Sequence, residues 1–367
     1  MRFLTIALVL FLFVACQVEK KTENKPSYQF YLGTYTDGDA QGIYKCSMTS
    51  DGVIKEIRVV AKSNNPSFLA FDADKKHLLA VNEVSQNGVG TVEAYRIKKD
   101  TLEYISKSSS GGAHPCHISL SKDGIVAVSN YSGGNIGWLR IGQDGKLSEL
   151  LHLSQHNNAD DTSVLSHAHS AWFLEGSQEV MAVDLGTDEL WQYSFALNDD
   201  SLNVTLLNKH SLAKGAGPRH MAEHPNGKYL YVINELSNSI TTLNKNERGE
   251  WQIGASISTL PADFDGESYC ADVRISADGR FLYGSNRGHN SIVIFSIAND
   301  GSLKLLAHES VRGDHPRNFS LTPDGELLLV ANKNTNNIVS FKRDKTSGLL
   351  ELASEIKTPS PVCILFE

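Results

Sequence analysis

A unit of about fifty residues recurs along most of this chain. A chain built this way buries its apolar faces only by stacking one unit against the next. The segment HPCHISLSKDGIVAVSNYSGGNIGWLRI (114–141) sets the pattern, which returns at 65–83, 167–195, 217–243, 269–297 and 315–343. Aligned on the central Asp-Gly turn, Phe68, His117, His169, His220, Asp272 and Asn318 share one position, at spacings of 49, 52, 51, 52 and 46 residues. A second shared position holds Asn82, Asn130, Asp184, Asn234, Asn286 and Asn332.

Each copy reads as strand, tight turn, strand, loop, strand. Asp-Gly or Asn-Gly between apolar runs is a hairpin signal. Runs such as Ile125-Val126-Ala127-Val128 carry the β-branched residues of buried strands. A fourth, outer strand is expected in segments such as 148–153 and 303–308. Four-stranded repeats of this length are the signature of β-propeller blades. The chain ends supply a seventh blade. Val362–Phe366 is an apolar strand with no hairpin partner after it, and Phe30–Tyr35 and Gly42–Cys46 lack an inner strand before them. The expected fold is therefore all-β: a seven-bladed β-propeller of four-stranded antiparallel blades, the last closed by N- and C-terminal strands. The alternative is six blades with a loose terminus.

The formal net charge is −8, from 34 basic and 42 acidic side chains, and no Lys/Arg run occurs. No electrostatic footprint for nucleic acid is present. The five cysteines, at 16, 46, 116, 270 and 363, form no CxxC pair, so no zinc ribbon is expected. Cysteines in strand-like runs are expected to be buried free thiols.

Residues 3–15, FLTIALVLFLFVA, follow Arg2 and precede Cys16. This is a positive start and an apolar stretch too short to span a bilayer. The ending Phe13-Val14-Ala15-Cys16 resembles a bacterial lipobox, in which the cysteine is lipidated; an ordinary signal peptide cut near Ala15 is the alternative. The expected organisation is a signal peptide over 1–15, a flexible tether over 16–27 and a propeller over 28–367. The protein is then an exported lipoprotein of the bacterial envelope. It faces the periplasm at the outer membrane and touches the membrane only through its lipid. A monomer or weak dimer is expected.

Propellers bind ligands at the channel mouth, where inner strands begin. The first shared position offers His117, His169 and His220 as groups for proton transfer near neutrality. Three such imidazoles also suit zinc, but equivalent positions on neighbouring blades stand too far apart, and no metal is expected. The structural alternative, a hydrogen bond to the next blade, is favoured for His117. His169 has the polar neighbours His167 and Ser170 and is favoured for function. The residues after the second shared position include Glu83, Tyr131, Glu235, Arg287 and Lys333, while Arg219 and Arg317 precede the first. An acidic chain thus gathers Arg219, Arg287, Arg317 and Lys333 near one opening, which suits a carboxylate or phosphate. Salt bridging, for instance Arg219 with Glu235, is the structural alternative. No GxSxG, GxxxxGK[ST], HExxH or GxGxxG motif occurs.

At these residues the chain resembles the lactonase family of seven-bladed propellers, which includes propeller-type 6-phosphogluconolactonase and carboxy-muconate lactonizing enzyme. The most specific block is Gly-Ala-Gly-Pro-Arg-His-Met (215–221) with His224-Pro225-Asn226 and Asn234-Glu235-Leu236. Ala271-Asp272, Asn286-Arg287, His315-Pro316-Arg317 and Tyr31-Leu32-Gly33-Thr34-Tyr35 extend the likeness over roughly 28–367. The resemblance implies a lactone site with His169, Arg219, Glu235 and Arg287 as the catalytic set. His220, Arg317, Glu83, His117 and Lys333 are the candidates for substrate binding. His169 is expected to act as base on water, with Arg219 and Arg287 holding the oxyanion. Glu235 is expected to orient His169 or Arg219, and His220 to serve the leaving alkoxide. The implied function is hydrolysis of a sugar lactone, 6-phospho-glucono-1,5-lactone or a related aldonolactone, with no cofactor. The alternatives are a non-catalytic envelope binding propeller and a lactonizing cycloisomerase.

Overall fold

The structure, a computed structural model, describes residues 28–156, 163–198 and 201–367. The signal segment, Cys16 and the tether lie outside the described residues. Among those residues, 28 strands form seven four-stranded antiparallel sheets. Blade 1 has the spatial order Pro361–Phe366, Tyr28–Thr34, Gly42–Met48, Ile54–Lys62. Blades 2 to 7 follow in chain order, with inner strands Leu69–Phe71, Pro115–Leu120, Ala168–Phe173, Pro218–Glu223, Tyr269–Ile275 and Pro316–Leu321. The outer strands of blades 3 and 6 are His152–Gln155 and Leu303–Ser310, so the first begins later than its apolar run suggested.

Burial explains the ring. The second strands, such as Leu327–Asn332 and Ile125–Asn130, are buried along their whole length because each is sandwiched between blades. Outer strands such as Trp251–Ser258 are mostly exposed. Phe30, Leu32, Cys46 and Met48 of blade 1 share one core with Leu327, Leu329, Ala331 and Ile338 of blade 7. Each Phe, Leu, Ile or Met among them contributes about 1.5–3 kcal/mol by leaving water. The terminal strands meet in the register Phe30↔Phe366, Leu32↔Ile364 and Gly33↔Cys363. Gly33 is required there, since a Cβ would stand 2.3 Å from the carbonyl oxygen of Pro66. Cys46, Cys116, Cys270 and Cys363 are free and buried, as expected.

The recurring asparagines close the blade-to-blade connections. Asn82, Asn130, Asn286 and Asn332 each donate Nδ2–H to a backbone carbonyl of the segment arriving from the preceding blade: Asn64, Ser110, Thr259 and Val311, at 2.8–3.0 Å. These side chains are buried, so each needs such a partner for its amide.

The approach to five of the seven inner strands is irregular in a repeated way. Asn65, His114, Gly217, His315 and Ser360 each precede a proline and take positive φ, from 42° to 63°. For a non-glycine residue this conformation is costly. It turns the carbonyl toward the neighbouring strand end, where it accepts the N–H of Glu83, Tyr131, Glu235, Lys333 or Tyr35. Just after the proline the pairing slips by one residue, between Pro115 and His117, Pro218 and His220, and Pro316 and Asn318. Blade 4 slips between Ala168 and Ser170. Such bulges re-aim a side chain. The bulged residues are Cys116, His169, Arg219 and Arg317.

This corrects the alignment of the histidines. His117 pairs with Ser129 and His220 with Ile233, each one residue behind its bulge; in blade 4 that place belongs to Ser170, opposite Val183. His169 is therefore the equivalent of Arg219 and Arg317, not of His117 and His220. The cause lies in the hairpin turn. Ser177 N–H donates to the Leu174 carbonyl as Gly227 N–H donates to that of His224, so Gly176 comes one residue earlier than the other turn glycines.

Candidate active site

Two rows of side chains meet at one mouth of the channel. The bulge row brings Cys116, His169, Arg219 and Arg317. The row at the ends of the second strands brings Tyr35, Glu83, Tyr131, Glu235, Arg287 and Lys333, each anchored by the buried residue before it.

Blades 5 and 6 build one arm. Glu235 Oε2 lies 2.9 Å from Arg219 Nε and 2.9 Å from Arg287 Nη2. Arg219 Nη1 also donates to the Ala271 carbonyl at 2.6 Å, and Arg287 donates from Nε to Tyr269 and from Nη2 to Cys270. These bonds immobilise both guanidinium groups. Burial opposes ionisation of Glu235, but the charges of Arg287, Arg219 and Arg317 outweigh it and hold the carboxyl below its usual range. Burial, reinforced by Arg317 and Arg287, brings Arg219 down to about 10, which leaves it charged at neutrality.

His169 stands beside this arm. Its ring centre is 5.2 Å from that of His220 and 5.6 Å from that of Tyr131. The Cys116 Sγ lies 3.9 Å from Nδ1 and donates to the His169 carbonyl at 3.2 Å. Burial, then the charges of Arg219, His220, Arg317 and Arg287, drives its pKa well below the ordinary histidine value. It is a neutral imidazole among cations. Among the described residues, Glu235 makes no bond to His169; the carboxylate serves the two arginines. The expected role of Glu235 thus survives for Arg219 alone. His167 does not compete for the site: its ring stacks on Tyr131 at 4.5 Å and its Nδ1 lies 3.2 Å from the Tyr131 carbonyl.

Blades 1, 2 and 7 build a second arm. Tyr35 Oη lies 2.9–3.0 Å from both oxygens of Glu83. Arg317 Nη2 is 3.6 Å from Glu83, and its guanidinium lies over the Tyr35 ring at 5.2 Å. Lys333 Nζ is 5.6 Å from the same ring centre. Sequence reasoning missed Tyr35 as a site residue. Its blade has no internal copy at its start, and Thr34 stands where the other blades carry asparagine or aspartate.

His220 and His117 lie one step farther down the channel. Both are buried. Arg219 Nη1 stands 3.3 Å from His220 Nε2, and an arginine can only donate, so Nε2 accepts and the proton sits on Nδ1. In that tautomer the proton of His220 faces Asp272 and not the mouth. His117 Nδ1 accepts the Ala171 N–H at 3.4 Å, and its ring is packed between Phe68 and Trp172 at 4.3 and 4.5 Å. This is the inter-blade bond favoured for it from sequence. Among the described residues, no group of three or more His, Cys, Asp or Glu is arranged to hold a metal ion.

Arg219, Arg287, Arg317 and Lys333 face only Glu235 and Glu83 as carboxylate partners in the two arms, a surplus of two positive charges in a chain of net charge −8. Such a site attracts anions.

The family described as "Lactonase, 7-bladed beta-propeller" matches residues 29–366. The 6-phosphogluconolactonase of Bacillus subtilis is 35% identical over 348 residues, covering 92% of this chain and 98% of that protein. A 6-phosphogluconolactonase of Formosa agariphila is 36% identical over 339 residues, covering 88% and 94%. The structure of the periplasmic gluconolactonase PpgL of Pseudomonas aeruginosa superposes with a TM-score of 0.86 at 30% identity, covering 92% of this chain and 98% of that one. With its blades, its closure and its mouth arranged as described, the chain belongs to the lactonase family of seven-bladed β-propellers.

Proposed function

We propose that this protein is a lactonase that hydrolyses a sugar lactone of the 6-phosphogluconolactone kind at the channel mouth. The observation that carries this is the Glu235 clamp on Arg219 and Arg287 beside the neutral His169. The relatives named 6-phosphogluconolactonase support it across nearly the whole chain. In this reading His169 takes a proton from the attacking water. The carbonyl oxygen becomes an oxyanion against N–H groups of Arg219 and Arg287 that Glu235 has already oriented, so little reorganisation is needed. The ring C–O bond breaks, and the imidazolium of His169 returns its proton to the alkoxide. The surplus positive charge of Arg317 and Lys333 receives an anionic substituent such as phosphate.

The test is turnover of 6-phosphogluconolactone, gluconolactone and a uronic-acid lactone, followed by acid release. Wild type should open the phosphorylated lactone faster than the neutral one, and His169→Ala and Arg219→Ala should each lose about 100-fold or more. Hydrolysis at the spontaneous rate on all three would sink the reading.

We also propose that the protein is exported and held at the envelope by Cys16. The apolar leader and the Phe13-Val14-Ala15-Cys16 ending support this. A Cys16→Ala variant should leave the membrane fraction; one that stays there would rule the anchor out.

A further inference from the structure

Behind the catalytic row, Asp272 gathers four donors on two oxygens. Oδ1 lies 2.9 Å from His220 Nδ1 and accepts the Val273 N–H at 2.9 Å. Oδ2 accepts Asn318 Nδ2–H at 2.7 Å and lies 3.1 Å from Arg274 Nη2. Asn318 cannot turn its amide round, because its Oδ1 is taken by the Ile364 N–H at 2.8 Å. Asp272 is fully buried and belongs to blade 6; His220 belongs to blade 5. Rings of Phe68, His117, His169 and Trp172 surround the His220 imidazole edge to face, at 5.2–6.0 Å.

We propose that Asp272 is a positioning residue of the reaction: it holds His220 in the tautomer protonated at Nδ1, and the bare Nε2 then takes an N–H of Arg219 and keeps that guanidinium seated against Glu235. The proposal rests on the lactonase reading above. The chain of contacts is continuous. Asp272 fixes the His220 proton, His220 fixes Arg219 Nη1, and Arg219 Nε faces Glu235. The Ala271 carbonyl, adjacent to Asp272, takes a second bond from the same Nη1. Nη1 is committed to two acceptors and Nε lies against Glu235 as an ion pair without a hydrogen bond, so Arg219 Nη2 is the amino group left for substrate among the described residues. If His220 carried its proton on Nε2, two N–H groups would confront each other at 3.3 Å. The fork would have to swing away from the oxyanion. A misplacement of about 1 Å at such a group costs roughly 100-fold in rate.

Asp272→Asn is the direct test. Either orientation of the new amide points N–H at two of the four donors, and the turn toward Oδ1 forces His220 into the other tautomer. His220→Gln is its control, because the glutamine Oε1 stands near the position of Nε2 and accepts without needing Asp272. We expect Asp272→Asn to lower kcat/KM about 100-fold in the wild-type background and less than about threefold in the His220→Gln background. An equal loss in both would show that Asp272 acts on packing alone and would overturn the proposal. Should Asp272→Asn fail to fold, His220→Gln against His220→Asn still decides. The glutamine variant should keep activity within about tenfold of wild type while the asparagine variant, too short to reach Arg219, loses about 100-fold; equal activities refute the proposal. Nitrogen-15 NMR of the His220 ring in the wild type is independent of turnover. A protonated Nδ1 is expected, and a protonated Nε2 overturns the proposal even if no lactone is turned over, an outcome that would separately sink the lactonase reading.

Discussion

His169 and His220 meet edge to face, ring centres 5.2 Å apart, although they stand in different rows of the propeller. His169 occupies the bulge of its inner strand, and His220 follows the bulge of its own. The one-residue offset gives two neighbouring imidazoles opposite tasks. One is turned into the mouth among arginines; the other is tied to Asp272 behind it.

The first consequence is a pH–rate profile without the usual histidine limb. Burial and nearby cations keep His169 unprotonated well below the ordinary value near 6.5. As the reaction uses the neutral ring, kcat/KM should stay level from pH 8 down to about 5.5. A descending limb with its midpoint near 6.5 would mean that the base is a different, solvated group.

Stability should fall with acid below about pH 6.5. His117, His169 and His220 have depressed folded pKa values, through burial in each case; that of His117 is pushed down to about 3. Below about 6.5 the unfolded chain binds protons that the folded chain refuses, so each ring removes up to about 1.4 kcal/mol of stability per pH unit. Their contribution is complete above the unfolded pKa and is lost as pH falls beneath it. Denaturant midpoints at pH 7.5 and 5.0 measure this, and His117→Gln should flatten the slope. An unchanged slope in that variant would contradict the assignment.

Glu235→Gln removes the counter-charge from two buried guanidinium groups at once. The loss should be about 3 kcal/mol in stability, because breaking a buried pair strands the remaining charge. Turnover should drop by about 100-fold or more as both forks lose their seat. Urea unfolding and kcat, measured on the same preparation, test both parts; a variant of wild-type stability would show that the clamp is solvated.

Tyr35→Phe keeps the ring beneath Arg317 and Lys333 but deletes the hydroxyl on Glu83. The freed carboxylate can then turn fully onto Arg317 and quench its charge. KM for a phosphorylated lactone should rise roughly tenfold, the equivalent of one charged hydrogen bond, with kcat nearly unchanged. KM for neutral gluconolactone should hardly move. An equal rise for both lactones would detach this arm from anion binding.

What could be read in the sequence were the features that every blade must solve alone. Alternating apolar strands, and a buried asparagine or aspartate in every blade but the first, recur because each sheet needs them, so repeat, blade count and ring closure were visible. The site was half visible. Arg219, Glu235 and Arg287 were foreseen at one mouth, and the salt bridge weighed as an alternative to function proved to be part of the same arrangement. The bulges were not visible, since a slip in pairing depends on two strands together. The turn at 174–179 hid the slip in blade 4 by moving its glycine, and with it the row of His169. Tyr35 escaped because blade 1 is assembled from both chain ends and has no contiguous copy to align.

That assembly also governs how the protein is made and lost. Phe30 lies against Phe366 across almost the whole length of the chain. Blade 1 cannot form until the distant strand Pro361–Phe366 arrives, and until then the apolar flanks of blades 7 and 2 stay open. Contacts of such sequence separation are slow to find. Once formed, the seam leaves no open blade edge from which unfolding can begin. Resistance to heat and proteases in this protein should therefore be a matter of lifetime more than of equilibrium, set by how often six residues let go.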